Sequence, residues 1–334
     1  MAYAMEKIGV IGGGAWGTAL AVALAHKRGA VMVWALEAEV VDAVNGAHCN
    51  SLFLPDIPLP KEIKATNSLT DMMDSDALLM VAPAQYMGAV CRDLQKEGLS
   101  EKVALVLCAK GIERESLRLM SEVVRGVFPK NPIAVLSGPS FAKDISQNLP
   151  TAMTLASADM ELAEALAGAM GHSLFRIYLS DDIIGAQIGG AVKNVLAIAA
   201  GIVIGKGWGE SARASIVSRG FAEMLRLSAA MGGRRKTLSG LCGIGDLMLT
   251  CGSDLSRNFS LGQQLGQGKT LEEARKGKKN VSEGALSAKA VVALAKKHDC
   301  SMPICEAVAK IIEHAPLDET ISALLQRKTG VEVE

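Results

Sequence analysis

Lys7-Ile8-Gly9-Val10-Ile11-Gly12-Gly13-Gly14-Ala15-Trp16-Gly17 is a short apolar run that feeds straight into G-x-G-x-x-G. An Ala-rich stretch, Thr18 to Lys27, follows with apolar residues at helical spacing. Strand, glycine turn and helix start, in that order, make this fingerprint credible as a dinucleotide site. Gly12 permits the tight turn, Gly14 lets the backbone approach a pyrophosphate, and Gly17 lets the helix pack close to the strand. The helix N-terminus then offers free N–H groups and its positive dipole end to the phosphates. Glu37 supplies the acid expected about 20 residues further on, where it reaches a ribose hydroxyl.

Outward from that turn, the first half of the chain alternates strand and helix. Apolar runs at Ile8–Ile11, Val31–Trp34, Leu78–Val81, Val103–Leu107 and Ile133–Leu136 read as buried parallel strands. Helical patterns at Glu37–Val44, Gln85–Leu94 and Ser116–Val127 lie between them. Asn50–Pro60, with three prolines, reads as a loop. Thr151–Ala156 and Leu174–Tyr178 look like further strands around a helix at Met160–Met170. From Asp181 onward strand signals nearly vanish. Asp181 or Asp182 can cap a long apolar helix, and helices follow at about Ser211–Met231, Leu271–Ala274, Gly284–Lys297 and Ile304–His314. The expected architecture is an α/β, Rossmann-like doubly wound domain over residues 1–180 and an all-α, substrate-binding and catalytic domain over 181–334.

Composition narrows the partners. Lys plus Arg and Asp plus Glu number 35 each, so the formal net charge is zero. That removes any global electrostatic case for nucleic acid or a membrane surface. Seven cysteines are scattered without C-x-x-C or a Cys/His cluster at zinc spacing, which predicts no metal site and reduced thiols in a cytoplasmic protein. The N-terminus lacks a signal-peptide pattern. Ile183–Ile204 is long enough to cross a bilayer. Its middle carries Gln187, Lys193 and Asn194, and a central Lys alone costs about 2.5–3.5 kcal/mol in a membrane. A buried core helix is expected instead, with no integral membrane segment.

Ligands of a doubly wound sheet sit beyond the carboxyl ends of its strands. Val103–Leu107 ends in Cys108-Ala109-Lys110-Gly111, and Ile133–Leu136 ends in Ser137-Gly138-Pro139-Ser140-Phe141-Ala142-Lys143. Lys110 therefore stands at a strand tip, as a site residue or as a solvated loop lysine. Lys193 follows Gly189-Gly190-Ala191 in the apolar helix. A lysine there either has its pKa lowered, pairs with an acid, or snorkels to solvent. Asp246, in the glycine-rich Gly240–Leu247 stretch, is a candidate partner for a buried lysine. Ser256-Arg257-Asn258 starts a helical pattern and suits a phosphate, though an ordinary serine cap with a surface arginine reads the same way. None of the five histidines sits beside a glycine turn or a lone acid in the helical domain, which disfavours a His/Asp hydride-transfer pair. The basic clusters at Gly233–Lys236 and Arg275–Lys279 read as solvated loops.

Taken together, IGVIGGGAWGTALA, Phe53-Leu54-Pro55, CAKGIE, SGPSFAKDI, LPTA, GGAVKNVLAIAAGI, GLCGIGDLMLTC, SRN and Val281-Ser282-Glu283-Gly284 resemble the bacterial-type NAD(P)-dependent glycerol-3-phosphate dehydrogenases. The order and spacing of the motifs, from Ile8 to Pro303, carry the resemblance. It implies reversible reduction of dihydroxyacetone phosphate to sn-glycerol 3-phosphate, feeding glycerophospholipid synthesis. In that family Lys193 would be the proton donor and acceptor at the C2 oxygen. Lys110, Gly138, Ser140, Asp246, Ser256, Arg257 and Asn258 match substrate-site positions, with Asn194 and Thr250 around the reacting centre. Ala15, Trp16, Lys110, Ala142, Arg257, Val281 and Glu283 match cofactor-site positions, beside Gly12, Gly14, Gly17 and Glu37 of the fingerprint. A helical C-terminal domain in this superfamily often helps form dimers, so a homodimer is the candidate assembly.

Trp34-Ala35-Leu36-Glu37-Ala38-Glu39 carries no basic residue after the second strand, where many bacterial members do. An acid there favours a free 2′-hydroxyl over a 2′-phosphate, which tilts the cofactor toward NAD. Two rival readings compete. A β-hydroxyacid or 6-phosphogluconate-type dehydrogenase expects Lys-x-x-x-Asn, whereas Asn194 here follows Lys193 at once. A non-catalytic nucleotide sensor needs the fingerprint but not Lys110, Lys193, Asp246 and Arg257.

Overall fold

The computed structural model describes residues 3–276 and 282–328. The chain divides into two compact units. The first comprises Met1–Gly190 and Gly232–Asp246, the second Ala191–Met231 and Leu247–Glu334. The first is the Rossmann-like doubly wound domain and the second is helical.

Among the described residues, ten strands form in the first unit: β1 (Ile8–Ile11), β2 (Val31–Trp34), β3 (Cys49–Asn50), β4 (Leu54–Pro58), β5 (Ile63–Thr66), β6 (Ala77–Met80), β7 (Ala104–Leu107), β8 (Ile133–Ser137), β9 (Thr151–Ala156) and β10 (Phe175–Ser180). Eight make one sheet in the order β10-β9-β8-β7-β6-β1-β2-β5. All its pairings are parallel except β8 with β9. Strand order reverses at β1, which lies between β2 and β6, so the ligand crevice of this topology falls beyond Ile11.

Every residue of β1, β6, β7 and β8 is buried. Helices cover both faces of such a sheet, so its strands read as unbroken apolar runs. Alternate residues enter two different cores, as the two-residue period of a strand requires. Val10, Leu79, Val106 and Leu136 join Leu20 and Leu24 of the first helix, Ala15–Arg28. Ile11, Leu78, Met80, Leu105, Leu107 and Val135 join Met87, Cys91 and Leu94 of the Met87–Lys96 helix on the other face. Each such fully buried Leu, Ile or Met contributes about 1.5–3 kcal/mol.

The Asn50–Pro60 stretch, expected as a loop, contains β4, which pairs antiparallel with β3 outside the main sheet. A two-stranded ribbon has only edges, where proline's missing N–H is harmless. β5 extends the main sheet beyond β2. The helix expected over Ser116–Val127 begins only at Met120. Leu117 before it has φ +57°, and its N–H bonds back to the Glu113 carbonyl.

Among the described residues one helix is long and apolar enough to cross a membrane, Ile183–Gly205, and 89% of its apolar window is buried inside the protein. Asp182 is its cap: its Oδ1 accepts from Gly185 N at 2.8 Å. In the second unit this helix packs on the Arg257–Gly266 helix through four glycines. A Cβ on Gly201 or Gly205 would overlap the carbonyl of Phe259 or Gln263, and one on Gly262 or Gly266 would overlap that of Ile198 or Ile202. The Asp246–Cys251 helix, from Leu247 on, and helices Gly209–Ala230, Leu271–Arg275, Glu283–Lys297, Pro303–Ile312 and Leu317–Leu325 make up the rest of the unit among the described residues.

Candidate active site

The glycine turn after β1 is built for close approach. Gly12 has φ +130° and lies against the end of β6, where a Cβ would sit 3.1 Å from the Val81 carbonyl carbon. Only glycine fits there. A Cβ on Gly17 would overlap the Gly12 carbonyl oxygen, so strand and helix meet backbone to backbone. Gly14 is different: a Cβ there would meet nothing within 4 Å. It holds the N-cap position and has no side chain to cap with. Next to it the Trp16 indole N–H is buried without a hydrogen-bond partner among the described residues. Open space over Gly14, an uncapped helix start and an unpaired donor fit a dinucleotide's pyrophosphate.

Asn50 supports this turn, a role without any local sequence signal. It is fully buried, and its Nδ2 donates to Gly13 O and to Thr18 Oγ1, both at 2.8 Å. Its Oδ1 accepts from Phe53 N at 3.1 Å, so the β3–β4 ribbon holds the turn in place. Glu37 precedes the short Ala38–Asp42 helix after β2. Asn67 pins that loop, its Nδ2 donating to Ala35 O at 2.6 Å.

Two strand tips along, Lys110 follows β7. Its Nζ donates to Asp246 Oδ2 at 2.6 Å and to Gly138 O at 3.2 Å. The lysine side chain is 14% exposed and the aspartate 0%. Breaking such a pair by removing one partner leaves a buried charge uncompensated, at roughly 3–5 kcal/mol. Gly138, with φ +152°, turns the chain after β8, and Ser140 Oγ donates to its carbonyl at 3.3 Å. Ala142 begins the next helix, Ala142–Ser146. Gly190 makes room for Lys110, whose Cγ would lie 3.2 Å from a Cβ there. Gly189 makes room for the Leu241–Gly245 turn, because its Cβ would overlap the Cys242 carbonyl oxygen. The first unit thus gathers Gly12, Gly14, Ala15, Trp16, Gly17 and Glu37 on one side and Lys110, Gly138, Ser140, Ala142 and Asp246 on the other.

The second unit holds a separate polar group. Lys193 is 6% exposed, and its Nζ donates to Thr250 Oγ1 at 2.9 Å. Asn194 Oδ1 accepts from Asn258 Nδ2 at 3.0 Å, and Asn258 Oδ1 accepts from Gly284 N at 3.0 Å. Gly284 must be glycine, since a Cβ would overlap the Asn194 carbonyl oxygen. Ser256 caps the Arg257–Gly266 helix by accepting from Phe259 N at 3.3 Å. Arg257 is exposed at its first turn. Glu283 opens the Glu283–Lys297 helix. Val281 lies outside the described residues.

A further buried acid escaped the sequence reading. Glu223 is 1% exposed, and its carboxylate accepts from Ile304 N at 2.7 Å and Cys305 N at 3.2 Å, capping the Pro303–Ile312 helix. Burial raises its pKa to about 7 against the opposing pull of those two amides. None of the seven cysteines forms a disulfide among the described residues. Among the described residues, no group of three or more His, Cys, Asp or Glu could hold a metal ion.

Residues 7–163 match the family model for the N-terminus of NAD-dependent glycerol-3-phosphate dehydrogenase, and residues 182–322 match that for its C-terminus. The chain is 55% identical over 328 residues to a glycerol-3-phosphate dehydrogenase [NAD(P)+] of Parvibaculum lavamentivorans, covering 98% of each. It is 52% identical over 326 residues to one of Caulobacter vibrioides, covering 96% of this chain and 97% of that one. A crystal structure of glycerol-3-phosphate dehydrogenase from Coxiella burnetii superposes with a TM-score of 0.92 at 37% identity, covering 96% of this chain and 100% of the other. Over its two units, from the glycine turn at Gly12 to the helical half, the chain belongs to the NAD-dependent glycerol-3-phosphate dehydrogenase family.

Proposed function

We propose that this enzyme reduces dihydroxyacetone phosphate to sn-glycerol 3-phosphate reversibly with NAD(P)H, supplying glycerophospholipid synthesis. The observation that carries the reading is the buried Lys110–Asp246 pair. It fixes an ammonium at the carboxyl edge of the sheet, with two of its three N–H donors used by Asp246 and Gly138. The third is left for an oxygen of the substrate.

When bound, a nicotinamide would supply the hydride chemistry at C2. Lys193 Nζ gives its proton to the C2 oxygen as negative charge develops there, and takes it back in the reverse direction. Thr250 accepts from Lys193 Nζ and orients it, with Asn194 as its chain neighbour. Lys110, positioned by Asp246, holds the substrate's carbonyl and phosphate oxygens, together with Gly138 and Ser140. Arg257, at a helix start with Ser256 and Asn258, grips phosphate. Gly12, Gly14, Ala15, Trp16 and Gly17 would cradle the pyrophosphate, with Ala142 and Glu283 completing the cofactor contacts. Glu37 takes the adenosine ribose and favours NAD over NADP. The same reading carries a homodimer assembled through the helical domain. It also carries a cytoplasmic location, with which seven cysteines outside any disulfide agree.

The test is absorbance of reduced nicotinamide with purified protein, dihydroxyacetone phosphate, and NADH or NADPH in parallel. Rapid oxidation that disappears with unphosphorylated dihydroxyacetone is the expected result. Folded protein that binds the cofactor and oxidises neither form would overturn it.

A further inference from the structure

Residues 232–246 rejoin the first unit after an excursion through the second, and they end on Asp246. Where this segment begins, one carboxylate serves two elements. Asp182 is 6% exposed. Its Oδ1 accepts from Gly185 N, in the first turn of the Ile183–Gly205 helix, and its Oδ2 accepts from Arg234 N, both at 2.8 Å. Gly185 makes room for it, because a Cβ there would overlap the Asp182 carboxylate. The Arg234 guanidinium binds Asp181 on the surface and its Nε stands 3.9 Å from Asp182 Oδ2, so the backbone amide is the closer of the two Arg234 contacts to Asp182. The segment then runs to the Leu241–Gly245 turn, seated on Gly189 of the same helix, and delivers Asp246 to Lys110.

We propose that Asp182 is a positioning residue for the reduction, its carboxylate indexing the returning segment against the long helix so that Asp246 meets Lys110. Two converging amide donors need two acceptor oxygens. An asparagine offers one oxygen and turns an N–H₂ toward the other amide, donor against donor. A serine offers the helix cap alone. The proposal rests on the reading of Lys110 and Asp246 as substrate-site groups.

The experiment compares full-length wild type, Asp182→Asn and Asp182→Ser, with Asp181→Asn as the surface control. Losing one hydrogen bond to a buried charged group lowers kcat/KM for dihydroxyacetone phosphate by about tenfold or more. The NADH dissociation constant stays within about twofold, since the glycine turn is untouched, and Asp181→Asn behaves as wild type. In an Asp246→Asn background, Asp182→Asn costs less than about twofold further, because residues acting through one contact are not additive. Amide hydrogen exchange over 241–246 quickens in both Asp182 variants, a readout that needs no turnover. An equal loss in both backgrounds, or wild-type kcat/KM with wild-type exchange, overturns the proposal. Should Asp182→Asn fail to fold, Asp182→Ser, which keeps the cap, decides by the same measurements. Absence of turnover in the wild type overturns the functional reading instead, and exchange still decides the positioning.

Discussion

Gly14→Ala separates a cofactor cradle from an ordinary glycine turn. Gly14 holds φ −68° and ψ 176°, a conformation open to any residue, and its missing Cβ faces empty space. The free protein therefore has no steric need of glycine there. Alanine removes freedom from the unfolded chain, worth about 0.4–1 kcal/mol, but it is a poorer N-cap by a similar amount. The net change lies within about 0.5 kcal/mol. Unfolding entropy of roughly 2.1 cal/mol/K per residue over 334 residues is about 0.7 kcal/mol/K, so the melting temperature moves by less than about 1 °C. Binding is another matter. A pyrophosphate drawn onto the amides of Ala15, Trp16 and Gly17 fills the space into which the methyl projects. Overpacking of that kind costs about 1–3 kcal/mol, or roughly 5- to 150-fold in Kd. Fluorescence titration with NADH beside thermal denaturation measures both quantities. Gly17→Ala is the contrast, since its methyl collides with the Gly12 carbonyl and lowers the melting temperature with or without cofactor. Wild-type NADH affinity in Gly14→Ala would refute the cradle.

Three other expectations follow from the same geometry. Lys193→Met, close in length and apolar, leaves NADH affinity unchanged and lowers kcat by about 10²–10⁴ in steady-state turnover; a loss under about tenfold would remove Lys193 from proton transfer. Glu37→Ser raises the NADPH-to-NADH ratio of kcat/KM by about tenfold or more, and an unchanged ratio would end the ribose argument. Glu223 is held at about 7 by burial, above its ordinary 4.5, so the folded state binds this proton more tightly than the unfolded chain does. Stability from this group is full below the lower value and is lost as pH rises through the upper one, by about 3 kcal/mol. Glu223→Gln should flatten the fall in melting temperature between about pH 5 and about pH 7, and a slope equal to wild type would contradict that accounting.

The glycine turn was legible because three local signals agree there: an unbroken apolar strand, glycines at fixed spacing and a helical period. The β3–β4 ribbon was hidden by Pro55 and Pro58, which mark loops far more often than strands and are tolerated because the ribbon has only edges. β5, Ile-Lys-Ala-Thr, is too short and too polar to stand out, and it forms because β2 offers it an edge. Asp246 could be read as the partner of a buried lysine, but not of which one. The choice of Lys110 depends on how a segment 136 residues away comes back to the sheet. Asn50 is the extreme case: a buried amide that steadies the fingerprint turn from inside what reads as a proline loop. Local pattern has no term for such a contact.

The four glycines between the long helix and the Arg257–Gly266 helix have a consequence for how this enzyme tolerates change. Helices that meet through side chains can repack: a larger residue on one is answered by a smaller one on the other. Gly201, Gly205, Gly262 and Gly266 leave only main chain at the contact, and main chain has no rotamers with which to compensate. The spacing between the turn that carries Lys193 and Asn194 and the turn that carries Arg257 and Asn258 is therefore set by bond geometry, not by residue size. Drift in side-chain volume elsewhere in the helical unit passes that spacing by. Redesign of substrate choice can work freely on the polar side chains around it, while one methyl group at any of the four glycines shifts both turns together.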